Sequence, residues 1–144
     1  MNSKLPHKHL YLRNQLYNMS HLGFFITHVC DKNCRLCHQR IQTSEYKHLR
    51  KEEFEYIISC IKNPEEITSI LLTGGEPLLH PHFSWLINRI LEDFPNARIE
   101  VITNGKSLAK LRKDIFSKIE FLISEYPSWN DDIIRKYKRY PNIR

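Results

Sequence analysis

Three cysteines stand close together near the start of the chain: Cys30, Cys34 and Cys37. Such spacing gathers three thiols in one short loop, and thiolates are the usual protein ligands of iron–sulfur clusters. A [4Fe–4S] cluster that only transfers electrons is normally closed by four cysteines, whereas a trio leaves the fourth iron open. The cysteine loop therefore predicts a cluster that binds a ligand at its bare iron.

Zinc is the alternative metal that the same cysteines could bind. A structural zinc knuckle needs a fourth ligand, and His28, His38 or the distant Cys60 would supply one. The corresponding function would be that of a zinc-stabilised, RNA-associated protein. Four cysteines in a reducing compartment favour metal binding over disulfides under either interpretation.

A second chemical pattern follows a short apolar run at residues 69–73, which is typical of a β-strand. This run leads directly into Gly74-Gly75-Glu76-Pro77. Paired glycines let the backbone approach a ligand closely, and a carboxylate and a proline then set polarity and direction. Two further strand-like runs, Arg98–Thr103 and Ile119–Ser124, also end in polar residues, with Asn104-Gly105 following the first.

Helical periodicity separates these strands. Apolar residues recur at helical spacing in Lys51–Lys62, from Pro81 to Phe94, in Ser107–Phe116 and from Asn130 onward. Pro81 is expected in the first helical turn, where proline is tolerated, and Cys60 inside the first helix. A first strand is predicted at Leu22–Thr27, so the chain contains four strand-then-helix units.

Repeated strand–helix units predict an α/β fold of parallel strands joined by right-handed crossovers. We expect a parallel (β/α)4 half or partial TIM-like barrel over residues 21–144, preceded by a basic N-terminal segment at 1–20. Ligands of such folds bind at the carboxyl ends of the strands. The cysteine loop, the glycine motif, Asn104 and Ser124 would all lie at that one edge.

The two motifs together resemble a known family. Cys-x3-Cys-x2-Cys followed by Gly-Gly-Glu after the second strand is similar to the pattern of the radical S-adenosylmethionine (radical SAM) superfamily, and the resemblance extends from about Gly23 to the end. One residue departs from it: Leu36 stands where the family usually has an aromatic residue. We expect weaker stacking on adenine there but an intact cluster.

This resemblance implies a [4Fe–4S] cluster on the three cysteines and S-adenosylmethionine bound through its amino and carboxylate groups to the fourth iron. One-electron reduction, from a donor such as flavodoxin or ferredoxin, would cleave the cofactor to a 5′-deoxyadenosyl radical that abstracts hydrogen from a substrate the sequence does not identify. Glycine-motif residues would hold the methionine moiety, and two later residues would contact ribose or adenine. The first group is Thr73, Gly74, Gly75 and Glu76, and the second is Asn104 and Ser124.

Chain length limits this interpretation. The protein has 144 residues, whereas a complete β/α barrel typically needs about 250. We therefore expect a truncated core whose fifth strand would start near Pro141–Arg144, either completed by a partner chain or reduced to a cluster-binding module without turnover.

His80 and His82 flank Pro81 and are expected to cap the helix or lie at the surface.

Composition is that of a folded domain, with 41% hydrophobic and 26% charged residues. No apolar stretch approaches the roughly 20 residues that cross a bilayer, and no export signal is evident, so a cytoplasmic location is expected. Net charge is +6, but acidic and basic residues alternate along most of the chain. Only five basic residues form a local cluster, so nucleic-acid binding is not favoured. They are Arg135, Lys136, Lys138, Arg139 and Arg144.

Overall fold

The computed structural model describes residues 20–35, 37, 47–126 and 131–144. The predicted N-terminal segment, apart from Ser20, lies outside the described residues, as do Leu36, His38 and Asn130.

Four parallel strands form one sheet in the order β1-β2-β3-β4. They are β1 His21–Thr27, β2 Ser69–Gly74, β3 Arg98–Thr103 and β4 Glu120–Ile123. Leu72 of β2 is paired with both Phe24 of β1 and Val101 of β3. Strand positions match the apolar runs of the sequence to within one residue at most ends, because apolar side chains fill most of the alternate, buried positions of each strand.

Helices alternate with these strands. They are α1 Lys51–Ser59, α2 Phe83–Asp93, α3 Lys113–Phe116 and α4 Asp131–Tyr137, with short 3₁₀ turns at Pro64–Glu66, Pro77–Leu79 and Leu108–Lys110. Arg50 is the N-cap residue of α1, and its backbone N–H donates to Glu53 Oε2 in the first turn over 2.9 Å. The predicted (β/α)4 class is confirmed.

The core lies between the sheet and the helices. Ile70 and Leu72 of β2 are fully buried, as are Ile87 and Ile90 of α2 and Phe121 of β4. Burying one such side chain contributes about 2 kcal/mol to folding. This packing fixes the strands and therefore the positions of the loops at their carboxyl ends.

Three predictions about helices were wrong in detail. Pro81 lies in a turn before α2, not in its first turn, because the helix begins only at Phe83. The helix expected at Ser107–Phe116 is interrupted by extended backbone at Leu111 and Arg112, so its apolar residues are buried by two separate turns. Cys60 follows the last residue of α1 and is half-buried.

The last described residues extend the sheet. Phe121 N–H donates to Asn142 O over 2.8 Å, and Ile123 N–H donates to Arg144 O over 2.9 Å. Ile143 pairs with Phe121 in the parallel sense. Residues 142–144 thus lie along β4 where a fifth strand was expected. Within the described part of the chain, no helix combines the length and apolarity needed to span a membrane.

Candidate active site

The carboxyl ends of the four strands meet at one edge of the sheet. Gly75 N–H, just after β2, donates to Thr27 O at the end of β1 over 2.7 Å. Ser124 N–H, just after β4, donates to Thr103 O at the end of β3 over 2.9 Å. The structure therefore brings together the loops that sequence analysis placed at this edge.

Gly74 and Gly75 are required by the chain that leads into the cysteine loop. A Cβ on Gly74 would lie 2.2 Å from Thr27 O, and one on Gly75 would lie 2.4 Å from Val29 O. Gly74 also has φ +143°, a conformation that residues with side chains rarely adopt. We expected the glycines to admit a ligand. In the structure they admit the backbone of residues 27–29, and Glu76 N–H bonds Val29 O over 2.8 Å.

Glu76 joins the end of β2 to the end of β3. Its side chain is 1% exposed, and Oε1 accepts hydrogen bonds from Thr103 Oγ1 at 2.6 Å and Leu78 N–H at 3.1 Å. Oε2 accepts from Asn104 N–H at 2.8 Å. Burial raises the pKa of Glu76 above its ordinary value, and these three hydrogen bonds offset only part of the effect.

Asp31 connects the cysteine loop to the segment after β3. Asn104 Nδ2 donates to Asp31 Oδ1 over 2.8 Å, and Lys106 Nζ lies 3.1 Å from Asp31 Oδ2. Partial burial raises the pKa of Asp31, but the bonds from Lys106 and Asn104 outweigh it, so the pKa is lowered overall. The carboxylate is therefore ionised at neutral pH and holds the loop against β3.

All three cysteines of the motif are half-buried and free of disulfides. Lys32 N–H donates to Cys30 Sγ over 3.3 Å, and Cys37 N–H donates to Cys34 O over 3.2 Å. Burial raises the pKa of the Cys30 thiol, and the nearby Glu76 carboxylate adds to the effect. Since metal binding requires thiolates, a bound cation would have to offset this raised pKa.

The three cysteines can be matched to the ligand set of a single metal ion or to that of a cluster. Within the described residues, no three His, Cys, Asp or Glu side chains are grouped closely enough to hold a metal ion. The donor set still fits an iron–sulfur cluster in its chemistry, because three thiols lie on one loop, and that loop is anchored at the strand edge through Val29 and Asp31.

Tyr126, to which the sequence assigned no role, lies beside this loop. Cys34 Sγ is 3.8 Å from Tyr126 Oη, and Lys32 Nζ lies 4.6 Å from the centre of the Tyr126 ring. Burial and the neighbouring Cys34 raise the pKa of Tyr126 to about 12, so the phenol keeps its proton. The sequence signal that could have placed Tyr126 near the site is its position, two residues after the end of the Ile119–Ser124 run.

Thr103, Asp31 and Lys106 were also missed. Each stands next to a residue that the motifs singled out, but their importance depends on contacts between different loops. Three residues that were predicted to contact S-adenosylmethionine differ in burial. Asn104 is buried, and its amide donates to Asp31. Ser124 is half-buried at the same edge, and Thr73 is half-buried within β2.

His80 is neither a surface residue nor poised as a metal ligand. It is 4% exposed, with Nε2 2.9 Å from Leu49 O, while Nδ1 accepts a hydrogen bond from His82 N–H over 3.0 Å. Burial lowers the pKa of His80 to about 4, so the ring is neutral at physiological pH. Of the two expected roles, capping or surface, the surface role is wrong for His80, and its ring instead accepts the His82 N–H just before α2, as a capping side chain would. His82 itself is exposed.

Comparison with known proteins identifies the class. The sequence profile described as Radical SAM superfamily matches residues 24–141, which include both the cysteine loop and the glycine motif. The chain belongs to the radical SAM superfamily.

Curated relatives carry two different activities. The chain is 32% identical over 94 residues to GTP 3′,8-cyclase of Trichodesmium erythraeum, covering 60% of this chain and 28% of that protein. It is 36% identical over 70 residues to L-lysine 2,3-aminomutase of Methanococcus maripaludis, covering 46% of this chain and 16% of that protein. The chain thus spans less than a third of the length of these relatives.

A solved structure shares the fold. BtrN, crystallised in complex with AdoMet and 2-DOIA, superposes with a TM-score of 0.72 at 18% identity. The superposition covers 87% of this chain and 55% of BtrN. An open conformation of BtrN gives a TM-score of 0.64.

Proposed function

We propose that this protein is a radical SAM enzyme, or the N-terminal part of one, that binds a [4Fe–4S] cluster through Cys30, Cys34 and Cys37. The observation that carries the proposal is the anchoring of the cysteine loop on the Gly-Gly-Glu segment, through the bonds from Gly75 N–H to Thr27 O and Glu76 N–H to Val29 O. Both motifs thereby lie next to each other at one edge of the sheet. Membership of the superfamily supports the same assignment.

S-adenosylmethionine would bind at this edge. We assign its methionine moiety to the segment from Thr73 to Glu76, and its ribose or adenine to Asn104 and Ser124. Glu76 would act mainly by orientation, since its oxygens already accept bonds from Thr103, Leu78 and Asn104. Held in this way, the carboxylate keeps the ends of β2 and β3 at a fixed separation.

When bound, the cluster and S-adenosylmethionine supply the reductive cleavage that yields a 5′-deoxyadenosyl radical, using an electron from a flavodoxin- or ferredoxin-type donor. The protein's own residues bind and shield these groups. Asp31 holds the loop to Asn104 and Lys106, and Tyr126 covers Cys34 while keeping its proton. The substrate is not assigned, because the two curated relatives act on different molecules.

Replacement of one cysteine tests the cluster. After anaerobic reconstitution with iron and sulfide, the wild-type protein should show the visible absorbance of an iron–sulfur cluster, and Cys34→Ala should lose it. Cys60→Ala is the matched control, because Cys60 lies at the end of α1, away from the loop, and should keep full absorbance. Equal absorbance in Cys34→Ala and wild type, or colourless protein with stoichiometric zinc, would refute the assignment.

Turnover is measured separately. With S-adenosylmethionine and a strong reductant, the reconstituted protein should release 5′-deoxyadenosine. A stable cluster without this product would identify a binding module and contradict the enzymatic part of the proposal.

A further inference from the structure

The chain enters the cysteine loop from Thr27, the last residue of β1, and comes back beside that strand at residues 47–49. The returning segment is antiparallel to β1, with His48 opposite Thr27. Leu49 N–H donates to Ile26 O over 2.8 Å. The two ends of the loop are therefore joined at its base.

The Thr27 hydroxyl is the centre of this base. Its Oγ1 lies 2.8 Å from Lys47 O, 2.9 Å from His48 Nδ1 and 3.0 Å from Val29 N. A carbonyl oxygen can only accept, so the hydroxyl proton points to Lys47 O, and the hydroxyl oxygen accepts from Val29 N–H and from His48 Nδ1–H. Because Thr27 is fully buried, loss of these bonds would leave buried polar groups without partners.

The His48 ring is neutral, with its proton on Nδ1. Burial lowers the pKa of His48, and the nearby Lys47 and His82 add to the effect. The ring meets that of His80 edge-on, with ring centres 5.2 Å apart, and His80 Nε2 lies 2.9 Å from Leu49 O. The returning segment is thus attached both to β1 and to the turn before α2.

Val29 connects this base to the first cysteine. Its N–H donates to the Thr27 hydroxyl, and its O accepts from Glu76 N–H over 2.8 Å. Both backbone polar groups of the residue before Cys30 are therefore fixed, one by β1 and the other by the segment after β2. The position of Cys30 at the strand edge depends in part on one buried hydroxyl.

We propose that Thr27 and His48 are positioning residues, which hold the base of the cysteine loop so that Cys30 is in place before iron binds. The proposal rests on the proposed function, because the loop binds a cluster only if its cysteines are the ligands. Without the hydroxyl bonds, the segment from Val29 to Cys30 has to become ordered as iron binds, and that ordering costs conformational entropy.

Two substitutions at Thr27 separate hydrogen bonding from packing. Thr27→Val keeps the shape of the side chain and removes all three bonds, whereas Thr27→Ser keeps the hydroxyl and removes a methyl group. After anaerobic reconstitution, Thr27→Val should lose iron to a chelator about ten-fold faster than wild type, and Thr27→Ser should stay within about two-fold. If Thr27 acted by packing alone, Thr27→Ser would lose iron faster than Thr27→Val, and that order would overturn the proposal.

His48 offers a second pair of variants, which decides the question if Thr27→Val does not fold. His48→Asn can place an amide N–H where Nδ1–H stands, whereas His48→Leu has no donor. His48→Leu should lose iron about five-fold faster than His48→Asn. Equal rates for the two would overturn the role of His48.

Amide hydrogen exchange of the metal-free 144-residue chain tests the same bonds without iron. The Val29 amide should exchange about ten-fold faster in Thr27→Val than in wild type or Thr27→Ser. The Gly75 amide is the internal control, because it bonds to the main-chain O of Thr27 and should keep its rate. A Val29 amide that Thr27→Val leaves unchanged would overturn the proposal.

The two readouts distinguish this proposal from the proposed function. If the wild type assembles no cluster, the proposed function fails, and the exchange of the Val29 amide alone decides whether Thr27 orders the loop. If wild type and Thr27→Val retain iron equally well, the positioning role fails and the proposed function stands.

Discussion

The two halves of the candidate active site differ in how completely the protein builds them. At the ends of β2 and β3, Glu76 is buried and accepts three hydrogen bonds, and Gly74 packs directly on Thr27. The cysteine loop is held by contacts of Val29, Asp31 and Cys34, and its three thiols are only half-buried. We infer that buried hydrogen bonds fix the strand edge more firmly than the half-buried contacts of the cysteine loop fix its thiols.

The largest effect is expected at Gly74. Gly74→Ala should lower the free energy of unfolding by about 3 kcal/mol, because the new methyl group meets Thr27 O and the backbone has φ +143°. Gly23→Ala is the matched control: nothing lies within 4 Å of its Cβ, so stability should change by only about 0.5 kcal/mol. Urea denaturation measures both variants. Similar values for the two would show that the strand edge is not tightly packed.

An intermediate effect is expected at Glu76. Glu76→Gln should lower the free energy of unfolding by about 2 kcal/mol. The glutamine amide has one accepting oxygen, and its NH₂ group cannot accept the hydrogen bonds made to the other carboxylate oxygen. The exposed Glu65→Gln should change it little.

The Glu76 effect should also depend on pH. Because burial raises the pKa of Glu76 above 4.5, the folded state holds this proton more tightly than the unfolded state does. The free energy of unfolding of the wild type should therefore fall as pH rises from 4.5 through the raised pKa. The difference in free energy of unfolding between wild type and Glu76→Gln should narrow over the same range. A difference that widens with pH would contradict the raised pKa.

The smallest effect is expected at Asp31. Asp31→Asn should reduce stability by less than about 1 kcal/mol, since its ion pair with Lys106 is partly exposed and screened by solvent. It should nevertheless slow iron incorporation, because the cysteine loop loses a contact with β3. Asp114→Asn removes another surface ion pair, with Arg112, and should leave iron incorporation unchanged. If the two variants incorporate iron equally fast, Asp31 does not position the loop.

Sequence alone predicted the four strands and the common edge, because apolar residues recur along each strand and the strand ends carry the motifs. It did not predict the break at Leu111 and Arg112, where two short turns bury Leu108 and Ile115 separately. Apolar spacing reports which residues are buried but not whether one helix buries them. Periodicity therefore located the elements better than it defined their continuity.

Contacts between loops were beyond sequence reasoning. Thr103 to Glu76 and Asn104 to Asp31 join residues far apart in the chain, and their pairing depends on strand register. The burial of His80 was missed for a similar reason, because its contact with Leu49 O joins two segments that are distant in the sequence. The motifs identified the site, but the network that supports it required the structure.

Mössbauer spectroscopy of the ⁵⁷Fe-reconstituted protein tests the central claim most directly. With three cysteine ligands, addition of S-adenosylmethionine should change the spectrum of one iron in four and leave the other three unchanged. A [4Fe–4S] spectrum insensitive to S-adenosylmethionine, or the absence of any such cluster, would contradict the account.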